Sequence, residues 1–160
     1  MHLRRTPRLF LSLSALAAVG LCASAEAQVR VVSYNLAKLA GNAAAIRATL
    51  AELAFDDKPG FAVAPSVLVF QEIRNADIAA LDAHIVAAFP GTPYARATFT
   101  TSGTEDGASG AQCLYYRTDK LGEVVSAHAD IATGASRNSD RWLLTLNGYT
   151  STAARFYVYS

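Results

Sequence analysis

Glu72 is the residue of this sequence best placed to do chemistry. It closes the run Pro65-Ser66-Val67-Leu68-Val69-Phe70-Gln71-Glu72-Ile73-Arg74-Asn75, in which four apolar residues lead straight into Gln, Glu and Arg. A carboxylate at the end of a strand buried on both faces is partly desolvated, so it needs a cation or hydrogen-bond donors to stay ionised. A divalent metal would serve. Arg74 would serve too, because residues two apart on a strand face the same side, and a Glu72–Arg74 ion pair holding a loop is the plainer alternative. The residue types leave both open. Asn35 repeats the arrangement, a polar side chain closing the β-branched run Val29-Arg30-Val31-Val32-Ser33-Tyr34. The histidines read as bystanders. His84 lies off the apolar stripe of its helix, and His128 alternates with Ser126 and Asp130 on the polar side of a strand, so both are expected at the surface.

The elements that must position these residues follow from periodicity. Val29–Asn35 reads as a first strand. Gly41-Asn42 then offers an N-cap to a helix with Ile46, Leu50, Leu53 and Ala54 on one stripe, ended by Asp56-Asp57-Lys58-Pro59-Gly60. The Val-, Leu- and Phe-rich run to Phe70 reads as a strand covered on both faces, which makes a βαβ-like unit. A second helix is expected from an Asn75 N-cap, with Asp77 in its first turn and Ile78, Leu81, Ile85 and Phe89 on its stripe, up to Pro90-Gly91. From Tyr94 the period changes to two, predicting strands near 94–99, 111–117, 121–129, 141–147 and 154–159. Two connections stand out. Thr100 to Gly110 is polar and glycine-rich with Glu105 and Asp106 at its tip, and Ala132 to Asp140 leads into Arg141-Trp142. The class is α/β (α+β), one domain with one core, without repeats.

Residues 1–27 read as a secretory signal peptide: a basic n-region with Arg4, Arg5 and Arg8, an apolar stretch Leu9 to Leu21, and the small-x-small site Ala25-Glu26-Ala27. Cleavage is expected after Ala27, giving a secreted or periplasmic protein of residues 28–160. The apolar stretch is shorter than the roughly 20 residues that span a bilayer, so no transmembrane anchor is expected. Leu21 before Cys22 argues against a lipid anchor, which needs a small residue there. Cleavage removes three arginines and one glutamate, taking the formal charge from +1 to −1. No overall basic footprint for nucleic acid results. It also removes Cys22, so Cys113 is the one cysteine left and no intramolecular disulfide is expected.

A strand ending Ser33-Tyr34-Asn35-Leu36, a helix, and a strand ending Val69-Phe70-Gln71-Glu72-Ile73 resemble the opening half of the endonuclease/exonuclease/phosphatase superfamily, which includes deoxyribonuclease I-like nucleases, sphingomyelinases and inositol polyphosphate phosphatases. Gln112 to Leu121 resembles that family's strand followed by Arg-x-x-Lys, and Arg141-Trp142-Leu143-Leu144 its later Arg-led strand. The resemblance implies the N-terminal half of a four-layered α/β sandwich, with a mixed β-sheet and two helices. It implies that Glu72 binds Mg²⁺ (or Mn²⁺ or Ca²⁺) and that Asn35 sits beside metal and phosphate, these two being the catalytic and metal residues. It further implies that Arg74, and more weakly Arg141, contacts substrate phosphate. Gln71 points away from Glu72 and reads as structural.

The family's later motifs, a His-Leu, an Asp-x-Asn and a terminal Asp-His, are absent from this sequence, so the domain at 28–160 reads as truncated at its C-terminal end. The expected function is a secreted metal-dependent hydrolase of phosphodiester or phosphomonoester bonds, as an incomplete chain. The alternative is a non-catalytic truncated or degenerate fragment acting as a binding module. The substrate could be nucleic acid, phospholipid or inositol phosphate. Each half of such a sandwich contributes much of one sheet, so these residues are expected to form one sheet with an open face. Leu114, Tyr116, Leu144, Leu146, Phe156 and Val158 would then be partly uncovered, and the chain inactive and prone to associate.

Overall fold

A computed structural model describes residues 29–55, 63–100, 111–134 and 137–160. The stretch read as a signal peptide, the expected helix stop at Asp56–Gly60 and the acidic tip Glu105-Asp106 lie outside the described residues. The chain opens with β1 (Val31–Asn35), α1 (Ala43–Glu52) and β2 (Val67–Ile73), and β1 runs parallel to β2 with Val31 opposite Val67. This is the expected βαβ unit. Asn42 caps α1 as expected, its Oδ1 accepting from the amides of Ala44 and Ala45 at 2.8 and 3.3 Å.

The second helix starts later than its sequence suggests. Asn75 opens a 3-10 turn, Asn75–Asp77, and α2 is Ile78–Ala88. The polar group serving this start is the Asp77 carboxylate, which accepts from the Arg74 amide at 3.3 Å. A second correction concerns His84, which is buried. With Leu81, Ile85 and Ala88 it forms an i, i+3, i+4, i+7 stripe facing α1, and Arg47 of α1 reaches it.

After α2 come β3 (Tyr94–Arg96) and β4 (Ala111–Arg117). They complete a mixed sheet in the order β1-β2-β4-β3, antiparallel except at β1/β2. The turn after Arg117 then sends the chain into a second, antiparallel sheet: β5 (Leu121–Glu123), β6 (Ala129–Ile131), β7 (Ser139–Leu146) and β8 (Arg155–Tyr159). β5 and β6 pair with successive parts of β7, and Leu144 faces Glu123 on one side and Phe156 on the other. The strand expected at 121–129 is therefore two strands split by a 3-10 turn, Val125–Ala127. That turn breaks the period of two and corrects the surface placement of His128. The His128 ring lies 5.8 Å from that of Trp142, and its Nε2 is 3.6 Å from Oδ1 of the buried Asp140.

The number of sheets also differs from expectation. These residues build two, and the side chains expected to lie open pack between them. Leu114 and Leu144 are fully buried with Val67, Val69, Leu121 and Trp142, and Tyr116, Leu146, Phe156 and Val158 pack on that cluster. A second core of Leu68, Phe70, Leu50, Leu81 and Ile85 lies between the first sheet and the helices. Val67–Phe70 is apolar throughout because its alternate residues feed two different cores, as the strand-buried-on-both-faces reading requires. Each such side chain contributes about 1.5–3 kcal/mol on burial. Among the described residues no helix is long and apolar enough to cross a membrane.

Candidate functional site

Glu72 sits on a β-bulge. Phe70 is opposite Cys113 and Ile73 opposite Ala111, so β2 takes three steps where β4 takes two. Within the bulge Glu72 adopts φ +60°, the left-handed region a side chain enters only against steric resistance. The bulge cancels the rule that residues two apart share a side. Arg74 accordingly does not pair with Glu72. Its guanidinium takes the Asp77 carboxylate with two nitrogens, at 2.7 and 2.8 Å, and reaches the Lys38 carbonyl at 3.4 Å.

Asn35 comes to Glu72 from the end of the neighbouring strand. Its Oδ1 accepts from the Ala37 amide at 2.8 Å, which turns its NH₂ outward to donate to the Glu72 carboxylate. Beyond it Ala37, Lys38 and Leu39 all have positive φ, a tight left-handed turn that brings the Lys38 charge near Glu72. On the other side Arg137, on the connection ahead of β7, donates to Glu72 Oε1 at 3.1 Å. The Asn35 hydrogen bond, that of Arg137 and the two positive charges together hold the Glu72 carboxyl below its ordinary value. The carboxylate is thus ionised and half-buried at a strained backbone position. Non-glycine residues in such conformations cluster at active sites and ligand clamps.

Of the four residues singled out from sequence, Asn35 and Glu72 are brought into contact, and Arg74 stands on the same rim, held by Asp77. Arg141 stands apart. It alternates with Trp142 on β7 and so faces away from the first sheet, its guanidinium 3.3 Å from the Ala127 carbonyl and 5.1 Å from the centre of the Tyr157 ring. Gln71 is structural as read, tying Ser33 to Ser160 at 3.0 Å each. Sequence reasoning missed Lys38 and Arg137. Ala37-Lys38-Leu39 carries no glycine to signal a left-handed turn, and Arg137 lies in a connection whose path residue types do not disclose.

Among the described residues no three His, Cys, Asp or Glu side chains converge as a metal cage. A hard dication of the Mg²⁺ kind keeps most of its waters and takes one or two carboxylates plus substrate oxygens. Glu72 supplies that carboxylate. A groove of about 480 Å³ lies elsewhere, between α2 and β3, and its polar groups Arg96, Asp82 and Tyr115 satisfy one another.

Helices on one face of a mixed sheet and a second sheet on its other face, with a carboxylate at a strand end, define three layers of an α/β sandwich. The fold is a mixed α/β one. It is shared with the crystal structure of D. rerio TDP2 complexed with single strand DNA product, at a TM-score of 0.50 and 18% identity, over 82% of this chain and 44% of that one. An endonuclease/exonuclease/phosphatase family protein from Bacteroides thetaiotaomicron gives a TM-score of 0.46 at 18% identity, over 82% of this chain and 49% of that one. This chain thus spans less than half the length of either. No family model matches it, and no curated protein matches it in sequence.

Proposed function

We propose that this chain is part of a secreted, metal-dependent phosphoesterase whose site is built on Glu72. The observation that supports this is the Glu72 carboxylate itself, ionised in a left-handed bulge, touched by Asn35 and flanked by Lys38 and Arg137. In a chain close to neutral, cations gathered around one carboxylate suit a phosphate anion held beside a metal. Asn35 orients Glu72 and favours its ionised form. Asp77 holds Arg74 on the rim, and Lys38 adds positive potential where phosphate would approach. When bound at Glu72, Mg²⁺ or Mn²⁺ would supply Lewis-acid polarisation of a phosphoryl oxygen. Phosphodiesters are favoured as substrate, single-stranded DNA first, because the TDP2 structure holds that product.

A second reading, binding without turnover, is supported by the lack of a cluster of His, Asp or Glu around Glu72 among the described residues, since hydrolysis also needs a group to move the proton. The test offers single-stranded DNA, RNA, sphingomyelin and inositol phosphates to the purified protein with Mg²⁺ or Mn²⁺. Metal-dependent hydrolysis of one class, lost in Glu72→Gln, would support the first reading. Metal-dependent binding without hydrolysis would select the second reading. Neither binding nor hydrolysis of any of them would sink both.

A further inference from the structure

Glu72 lies on β2 of the first sheet and Arg137 on the connection that leads into β7 of the second, so their ion pair ties that connection to the first sheet at the candidate site. Arg137 is half exposed, and its contact with Glu72 Oε1 is the one its guanidinium makes among the described residues. Its backbone is held independently, the Arg137 carbonyl accepting from Thr133 Oγ1 at 2.6 Å. The side chain can therefore leave Glu72 without unravelling the connection.

We infer that Arg137 holds the place of the divalent cation at Glu72 and, once a cation displaces it, becomes the arginine that binds the substrate phosphate. This rests on the reading of Glu72 as a metal ligand. A dication and a guanidinium at one carboxylate repel each other across a few ångströms, so the two compete for Glu72. A displaced guanidinium keeps a planar fork of donors that fits two phosphate oxygens. It would start beside Glu72, anchored on the connection that leads into β7. The other two candidate arginines are committed, Arg74 bidentately to Asp77 and Arg141 to Ala127 and the Tyr157 ring.

The experiment measures Mn²⁺ binding to the 160-residue protein by calorimetry, without substrate, and then inorganic phosphate binding with Mn²⁺ saturating. Circular dichroism checks that each variant folds. Arg137→Ala is expected to bind Mn²⁺ about two- to fivefold more tightly than wild type, the range a partly exposed ion pair allows. The same variant should bind phosphate about tenfold more weakly, having lost a charge-assisted fork. Arg137→Lys, which keeps the charge but not the fork, should leave Mn²⁺ affinity near wild type and still weaken phosphate. If Glu72→Gln abolishes Mn²⁺ binding while Arg137→Ala leaves it unchanged, Glu72 remains the ligand and the place-holding role is overturned. Unchanged phosphate affinity in Arg137→Ala overturns the phosphate role. Mn²⁺ binding indifferent to Glu72→Gln overturns the metal reading and this inference with it.

Discussion

Nε of Arg47 on α1 donates to Nδ1 of His84 on α2 across 3.2 Å, a hydrogen bond only a neutral imidazole can accept. Burial first, and the Arg47 charge second, hold His84 below its ordinary value of 6.5. His128 is also lowered, by burial first and with a contribution from Arg141, against the opposing pull of Glu123 and Asp130. A group whose folded pKa is depressed stabilises the fold above its unfolded value, and that contribution is lost as pH falls through the folded one. Urea midpoints should therefore be level above about pH 7 and fall from 6.5 toward 5. The lowered carboxyls of Glu72, Asp77 and Asp119 start from 4.5 or 3.8 and act only further down. A midpoint flat from pH 7.5 to 5 would show that neither imidazole is held neutral.

The left-handed backbone at Glu72 makes glycine and alanine distinguishable there. Both substitutions remove the carboxylate and the Arg137 pair, so their difference isolates the backbone. Alanine keeps the roughly 1–2 kcal/mol steric penalty of positive φ, and glycine escapes it while adding about 0.5–1 kcal/mol of unfolded-state entropy. Glu72→Gly should match or exceed Glu72→Ala in stability by about 0.5–1 kcal/mol, with Mn²⁺ binding lost in both. Chemical denaturation decides this, and a clearly less stable glycine variant would refute the strain at this position.

The strands around the site were legible in the residues. Val67–Phe70 shows its double burial as an unbroken apolar run, β4 falls on 111–117 as expected, and Asn35 and Glu72 mark the ends of paired strands. What joins them was not legible. The bulge at Glu72 arises from a mismatch of register with β4, a relationship between two strands that neither shows alone. His84 looked exposed because its helix was phased on Ile78 and Phe89, whereas packing against α1 phases it on Leu81 and Ala88. The second sheet was hidden for a similar reason: period-two alternation shows that a strand has one covered face, not what covers it.

Cys113 tests that covered face chemically. It is 1% exposed, opposite Phe70, and burial pushes its thiol up to about 12. A thiol that neither ionises nor meets reagent is inert. The Cys113 peptide should stay unmodified after iodoacetamide treatment at pH 8 and become fully alkylated in urea, as read by mass spectrometry. Labelling in native buffer at the rate of a free thiol would mean that the helix-facing core opens readily.

Trp142 tests the other core, the one between the sheets. It is fully buried against Val67, Val69, Leu114, Leu121 and Leu144, and its Nε1 donates to the Thr98 carbonyl at 2.7 Å. Thr98 also donates its amide to Glu123 at 3.0 Å, so one residue of the first sheet's outgoing chain is stitched to β5 and β7 together. Trp142→Phe keeps most of the apolar volume and removes the donor, leaving the Thr98 carbonyl without it. This should cost about 1–3 kcal/mol. Trp142→Ala removes the volume as well and should cost about 3–5 kcal/mol. Urea unfolding followed by far-ultraviolet circular dichroism ranks the three proteins. A cost below about 1 kcal/mol for Trp142→Ala would mean that the second sheet does not pack on the first through this residue, and the contact between Arg137 and Glu72 would then lose the scaffold that carries it.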